Sequence, residues 1–303
     1  MVIKMKEIKI KHLNTETRNS RTKDLDLMST HEIIAIMNEE DSKVVEAVMS
    51  VLGNIEQCIS VVIEAFKIGG RLIYMGAGTS GRLGILDAVE CVPTFSTSDE
   101  VVGLIAGGDK AFVKAVEGAE DSPELAQSDL KKIHINEKDV VVAITASGRT
   151  PYAIGGLEYA KKMGAYTVAI SCNKNSELSK YGDLSIEVDA GPEILTGSTR
   201  LKAGTAQKMI LNMISTASMV GIGKVYGNLM VDMKPTNEKL VERAIGILTE
   251  TTGCSRKKAE DSLEIADFSI KTSMVMILAD VDLEEAKRRL VIHNGFIRKC
   301  IYE

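Results

Sequence analysis

The chain has 303 residues, 45% hydrophobic and 26% charged, with a net charge of −5. That length suits one large α/β domain with a small appendage, or two modest domains. The acidic balance argues against a nucleic-acid surface, and no Trp with 4% aromatics argues against stacking platforms for bases or sugars. The longest apolar runs, such as Val140–Ile144, are too short to span a membrane. Lys4, Lys6, Glu7 and Lys9 interrupt any leader pattern at the start. Cys58, Cys91, Cys172, Cys254 and Cys300 are scattered without a CxxC pair and read as reduced thiols. None of the four histidines stands in an HExxH or HxH arrangement, which argues against a zinc site. The expectation is a cytoplasmic protein with neither membrane nor nucleic acid as partner.

Residues 1–30 are polar and irregular. Ser29 and Glu32 form a capping box, so a helix is predicted from about Thr30, with Ile33, Ile34, Ile36 and Met37 at helical spacing. A second helix is predicted over Val44–Lys67, stopped by Gly69-Gly70. Five short apolar strands follow at Arg71–Met75, Val101–Ala106, Asp139–Ile144, Tyr166–Ser171 and Leu184–Val188. They mostly lack period-two alternation and are separated by helices, the pattern of a parallel sheet covered on both faces. The predicted class is α/β, a doubly wound, mainly parallel five-stranded sheet with a small C-terminal helical domain. A Met- and Ala-rich helix is predicted over Lys202–Ile222. The tail beyond Asn237 is charged and helical, with a break at Thr252-Gly253. Its cations, among them Arg256, Lys257, Lys287 and Arg288, interleave with acids and read as a solvated face. Ile245, Ile247, Leu248, Met274, Met276, Ile277 and Leu278 are its candidate core. The predicted divisions are an N-terminal arm and helix (1–50), a ligand-binding α/β domain (51–237) and the small helical domain (238–303).

Open α/β sheets bind ligands beyond the carboxyl ends of their strands. Two loops fall there. Gly76-Ala-Gly-Thr-Ser-Gly-Arg82 reads as GxGxxG, but the next strand ends at Ala106-Gly107-Gly108 without the acidic residue that a dinucleotide site needs. No Gly-Lys-Ser/Thr follows, so a Walker loop is excluded. A bare strand–helix turn would not require Thr79 and Ser80. Thr145-Ala-Ser-Gly-Arg-Thr-Pro151 is a hydroxyl-rich cradle with Pro151 placed to preset a first helical turn. Gly78, Thr79, Ser80, Ser147, Gly148, Arg149 and Thr150 are thus candidate anion-binding residues. A third segment, Gly191–Thr205, adds Glu193, Ser198, Thr199 and Lys202 at a predicted helix start, hydroxyls and a cation that suit a phosphate or polyhydroxy ligand. The plainer alternative for that segment is a capped, solvated turn.

At these residues the sequence resembles the sugar isomerase (SIS) fold, and more narrowly the N-acetylmuramic acid 6-phosphate etherases. The matching stretches are Gly76–Glu90, Ala106–Gly108, Ala115–Asp121, Ala146–Tyr152, Gly191–Lys208 and Gly223–Asp232. The resemblance implies a reaction without metal or organic cofactor. A carboxylate removes the C2 proton of the open-chain amino-sugar phosphate, D-lactate leaves from C3, and water adds back to give N-acetylglucosamine 6-phosphate. Glu90 matches the family's principal acid/base and Glu120 the second. A useful base has its pKa raised by partial burial, for which Ile85, Val89 and Val92 offer an apolar setting. The sequence departs from the family at Val89, Val92 and Thr145, and no departure removes a reacting group. Arg82 to Glu90 spans ~12 Å of helix, so the phosphate is expected mainly at Ser147–Thr150, with Thr79 and Ser80 meeting the sugar. Glu90 then approaches from the side or from a second subunit. The resemblance also implies a homodimer, with Lys202–Met219 as a candidate contact. Two other functions stay open: an aldose–ketose isomerase, and a non-catalytic sugar-phosphate sensor like the glucokinase regulatory proteins. Retention of both carboxylates favours the enzyme.

Overall fold

The computed structural model describes residues 13–114, 116–235 and 237–302. The charges at Lys4–Lys9 and Ala115 of the Ala115–Asp121 stretch lie outside them. After three 3₁₀ turns between Asn14 and Leu27, the capping box at Ser29 and Glu32 opens α1 (Thr30–Met49), and α2 (Leu52–Lys67) follows. The predicted boundary at Val44 is therefore wrong: α1 runs through it, and the chain bends by 59° at Ser50-Val51. Val44 and Val48 of α1 and Ile55, Cys58 and Val62 of α2 all enter one core, and the bend lets both helices reach it.

The α/β body then runs β1 (Leu72–Gly76), α3 (Gly78–Phe95), β2 (Val101–Ile105), α4 (Lys110–Val113), α5 (Pro123–Lys132), β3 (Val140–Thr145), α6 (Pro151–Lys162), β4 (Tyr166–Ser171), β5 (Leu184–Glu187) and α7 (Lys202–Gly221). All five strands are parallel, in the order β2-β1-β3-β4-β5. Successive side chains of a strand point to opposite faces. Leu72 and Tyr74 of β1, with Val140, Val142 and Ile144 of β3, enter the core under α2 and α7. Ile73, Met75, Val141 and Ala143 enter the other, under α5 and α6. Both faces are apolar because both are covered, which is why the strands show no alternation.

Beyond α7 the structure adds a feature that the sequence reading missed, a hairpin of β6 (Val225–Tyr226) and β7 (Leu229–Met230) turning at Gly227. Five helices complete the chain: α8 (Glu238–Thr252), α9 (Arg256–Ile265), α10 (Ile270–Ala279), α11 (Leu283–Ile292) and α12 (Ile297–Ile301). Gly253 closes α8 in the left-handed conformation. Ile245, Ile247, Leu248 and Met274 are buried in their core, while Met276, Ile277 and Leu278 only pack against it. The charged faces pair as expected, Arg256 with Glu242 and Glu260, and Arg288 and Arg289 with Glu285. Asp232 ties these helices to the body, since its carboxylate pairs with Lys224 at 2.8 Å and with Lys271 of α10 at 3.2 Å, while Lys224 also donates to Phe95 O of α3.

Candidate active site

Strand order reverses between β1 and β3, so the loops after them leave adjacent strands in opposite directions and open a crevice. Gly76 sits directly opposite Ile144 in the register. Gly81 must be glycine, because a Cβ there would come within 2.6 Å of Gly76 O. Gly78, by contrast, is exposed at φ +54° with open space before it. Its Cβ-free backbone allows a ligand to approach. Ala77 caps α3 with no side-chain hydrogen bond, and Thr150 does the same for α6. The first-turn amides and positive ends of both helices therefore remain available to an anion.

The second loop is braced by its own hydroxyls. Thr145 Oγ1 lies 2.7 Å from Thr150 Oγ1 and 3.4 Å from Ser147 Oγ, which accepts from Arg149 N at 3.3 Å. Gly148 turns at φ +73°, where a Cβ would strike Ser176 Cβ at 2.4 Å. Thr145 thus acts inside the loop, ordering it. Asn173 Nδ2 holds Ala146 O at 3.0 Å and Thr15 Oγ1 at 3.0 Å, fastening the N-terminal arm over the same loop.

The third segment adjoins the first loop, since a Cβ at Gly204 would lie 3.5 Å from Thr79 Cγ2. Ser198 and Thr199 are half-buried beside it. Three expected ligand-binding side chains turn inward instead. Ser80 Oγ donates to Gln207 Oε1 at 3.0 Å, joining α3 to α7. Glu193 accepts from the backbone N–H groups of Lys202 and Ala203 at 2.9 and 3.0 Å, so it caps α7. Burial pushes the Glu193 carboxyl up, against the pull of those two amides. Lys202 is 1% exposed, with Nζ 2.8 Å from Glu40 Oε2. These three shape the site from behind, while Thr79, Ser147, Arg149, Thr150, Ser198 and Thr199 remain at least partly accessible.

The two carboxylates do not meet within one chain. Glu120 is exposed in a small cleft of about 190 Å³ with Gly78, Arg82 and Gly118, beside the first loop. Glu90 follows Gly78 by twelve residues on the same helix, ~18 Å along its axis. It lines a different cleft, of about 440 Å³, between α3, α7 and the β6–β7 hairpin. The apolar setting expected for it is absent from the single chain, where Glu90 is exposed and Val89 and Val92 are 57% and 49% exposed. Burial pushes the Cys58, Cys91 and Cys172 thiols up to about 12, which leaves them inert as nucleophiles. Among the described residues no three His, Cys, Asp or Glu side chains converge as metal ligands do.

Sequence reasoning missed Glu40 and Asp87. Glu40 carries no local signal, because its partner Lys202 is 162 residues away. Asp87 could have been found from its i, i+3 spacing to Glu90, which puts both on one face of α3.

A switch-point crevice lined by hydroxyl loops and two uncapped helix ends defines a SIS-domain protein. The SIS domain matches residues 119–217, the glucokinase regulatory protein N-terminal SIS domain residues 43–161, and the C-terminal lid domain of glucokinase regulatory protein residues 227–271. The N-acetylmuramic acid 6-phosphate etherase of Bacillus thuringiensis subsp. konkukian (strain 97-27) is 59% identical over 96% of this chain and 100% of its own length. That of Bacillus mycoides (strain KBAB4) is likewise 59% identical with the same coverage. The chain belongs to the N-acetylmuramic acid 6-phosphate etherases. Among solved structures, a phosphoheptose isomerase from Francisella tularensis is 16% identical over 64% of this chain and 98% of its own, with a TM-score of 0.49.

Proposed function

We propose that this protein cleaves the D-lactyl ether of N-acetylmuramic acid 6-phosphate with a site shared between two copies, Glu90 of one facing the loops of the other. The phosphate sits on Ser147–Thr150 at the start of α6, and Thr79, Ser198 and Thr199 meet the sugar. With the sugar ring open, the C1 aldehyde acidifies the C2 proton. Glu90 takes that proton, the electron pair forms C2=C3, and the C3–O bond breaks. Glu120 protonates the departing lactate oxygen. Water then adds its hydroxyl at C3, and C2 regains a proton, so ether and water become alcohol and D-lactate. The products are N-acetylglucosamine 6-phosphate and D-lactate. The five scattered cysteines, with no CxxC pair, suit a reducing compartment, the cytoplasm.

The observation that carries the shared site is the ~18 Å of helix between Gly78 and Glu90. It is supported by an open apolar groove of about 850 Å³ between α2 and α7, lined by Leu52, Ile59, Met209, Met213 and Val220. That groove shares Asn212, Thr216 and Val220 with the Glu90 cleft. A second copy seated there would cover Val89 and Val92 and supply the missing apolar setting.

The test is complementation. Glu90→Gln and Glu120→Gln homodimers should each release little lactate, whereas co-expressed chains should regain about a quarter of the wild-type rate, because half of the dimers carry one intact site. No recovery would place both carboxylates in one subunit. Ketose phosphate without lactate would point to an isomerase. Within the loops, Ser147→Ala should raise KM about ten- to hundredfold through a lost bond to a charged phosphate, and Thr79→Ala much less. The reverse order, measured by substrate titration, would move the phosphate to the first loop.

A further inference from the structure

The cleft around Glu90 holds a second carboxyl with no part in that chemistry. Asp87 lies one turn before Glu90 on α3, 8% exposed, and lines the same cleft. Its Oδ1 accepts from Ser215 Oγ of α7 at 3.1 Å. The Asn212 amide, oriented so that both its ends are satisfied, donates to Oδ1 at 3.0 Å and accepts from Lys208 Nζ at 2.6 Å. Oδ2 is buried without a hydrogen-bond partner. Burial pushes the Asp87 carboxyl up, against the opposing pull of Ser215, Tyr74 and Lys208. The titratable groups that face it are Glu90 and Cys91 on its own helix, Tyr74 on β1 and Lys208 on α7, with Cys58 of α2 beyond Tyr74.

We propose that Asp87 is the positioning residue for Glu90: clamped to α7 through Ser215 and Asn212, it fixes the turn of α3 that carries the base. This rests on Glu90 being the base. Proton abstraction needs the Glu90 carboxylate held in line with the C2–H bond, and the Asp87 bonds to α7 fix the helix turn that carries it.

The experiment measures kcat and KM for lactate release from N-acetylmuramic acid 6-phosphate. It compares wild type, Asp87→Asn, Asp87→Ala and Glu90→Gln, with the melting temperature of each. Asp87→Asn, whose amide oxygen can still accept from Ser215 and Asn212, should keep most of its activity. Asp87→Ala should fold but lose about ten- to hundredfold in kcat with KM nearly unchanged, as misplacement of a catalytic group does. A folded but inactive Asp87→Asn would overturn the proposal, as would a wild-type kcat in folded Asp87→Ala or a loss there that appears in KM and not in kcat. An active Glu90→Gln would instead remove the base itself, and the Asp87 proposal with it. An inactive Glu90→Gln beside a folded, fully active Asp87→Ala would remove Asp87 alone.

Discussion

Replacing Glu90 by Gln should lower kcat for D-lactate release by about 10²- to 10⁴-fold, the range that one positioned acid/base contributes. Gln keeps the size and hydrogen-bonding reach of Glu but cannot accept the C2 proton. KM should move little, because Glu90 meets the substrate at its C2 proton and not at the phosphate. Stability should stay within about 0.5 kcal/mol, since the side chain is exposed in the chain. The measurement is lactate release per active site alongside a melting curve. A kcat within tenfold of wild type would mean that another group takes the proton. A large fall in melting temperature would mean that the side chain holds the fold together.

The second large effect concerns stability. Glu40, 2% exposed, receives Lys202 Nζ at 2.8 Å, Lys43 Nζ at 2.6 Å and Arg21 Nη1 at 3.1 Å. Lys202 is 1% exposed, so Glu40→Gln would leave its ammonium buried without an anion. Breaking such a pair costs roughly 3–5 kcal/mol. Chemical denaturation should show that loss, and Glu40→Leu with Lys202→Met should recover much of it, because no charge is then stranded. A double variant as unstable as Glu40→Gln would mean that the pair is needed as a pair. Burial works to raise the Glu40 carboxyl, but the bonds from Lys202 and Lys43 outweigh it and hold it at about 2, below its ordinary 4.5. With the folded value depressed, this stabilisation is fully present above about pH 4.5 and is lost as pH falls toward about 2. Glu40→Gln should therefore flatten the acid limb of the stability curve. The same pair anchors α1 to the start of α7, and so holds Ser198 and Thr199 in place.

Much of the site was legible because its signals are local. A glycine at φ +54°, hydroxyls beside a helix start and Pro151 inside the first turn are consequences of short-range geometry, and they stand in consecutive residues. The break at Ser50-Val51 was not legible. Val44–Lys67 reads as continuous helix, and only the need of two helices to reach one core bends it. Asp232 shows the same limit. Its two lysine partners belong to different parts of the chain, and nothing in Gly223–Asp232 says which side chains it gathers.

Periodicity, capping and turn chemistry in the sequence determined the α/β class, the parallel strands and the three loops that bear hydroxyls. Each of these depends on neighbours a few residues apart. Only the tertiary structure decided which hydroxyls and charges face the crevice. Ser80, Glu193 and Lys202 share the composition of a binding site, yet Gln207, the α7 amides and Glu40 claim them first. It also decided that Glu90 and Glu120 occupy different clefts of one chain. The physical reason is that a side chain's role is set by the partners that packing brings within hydrogen-bonding distance, and for Ser80 and Lys202 those partners lie 127 and 162 residues away along the chain.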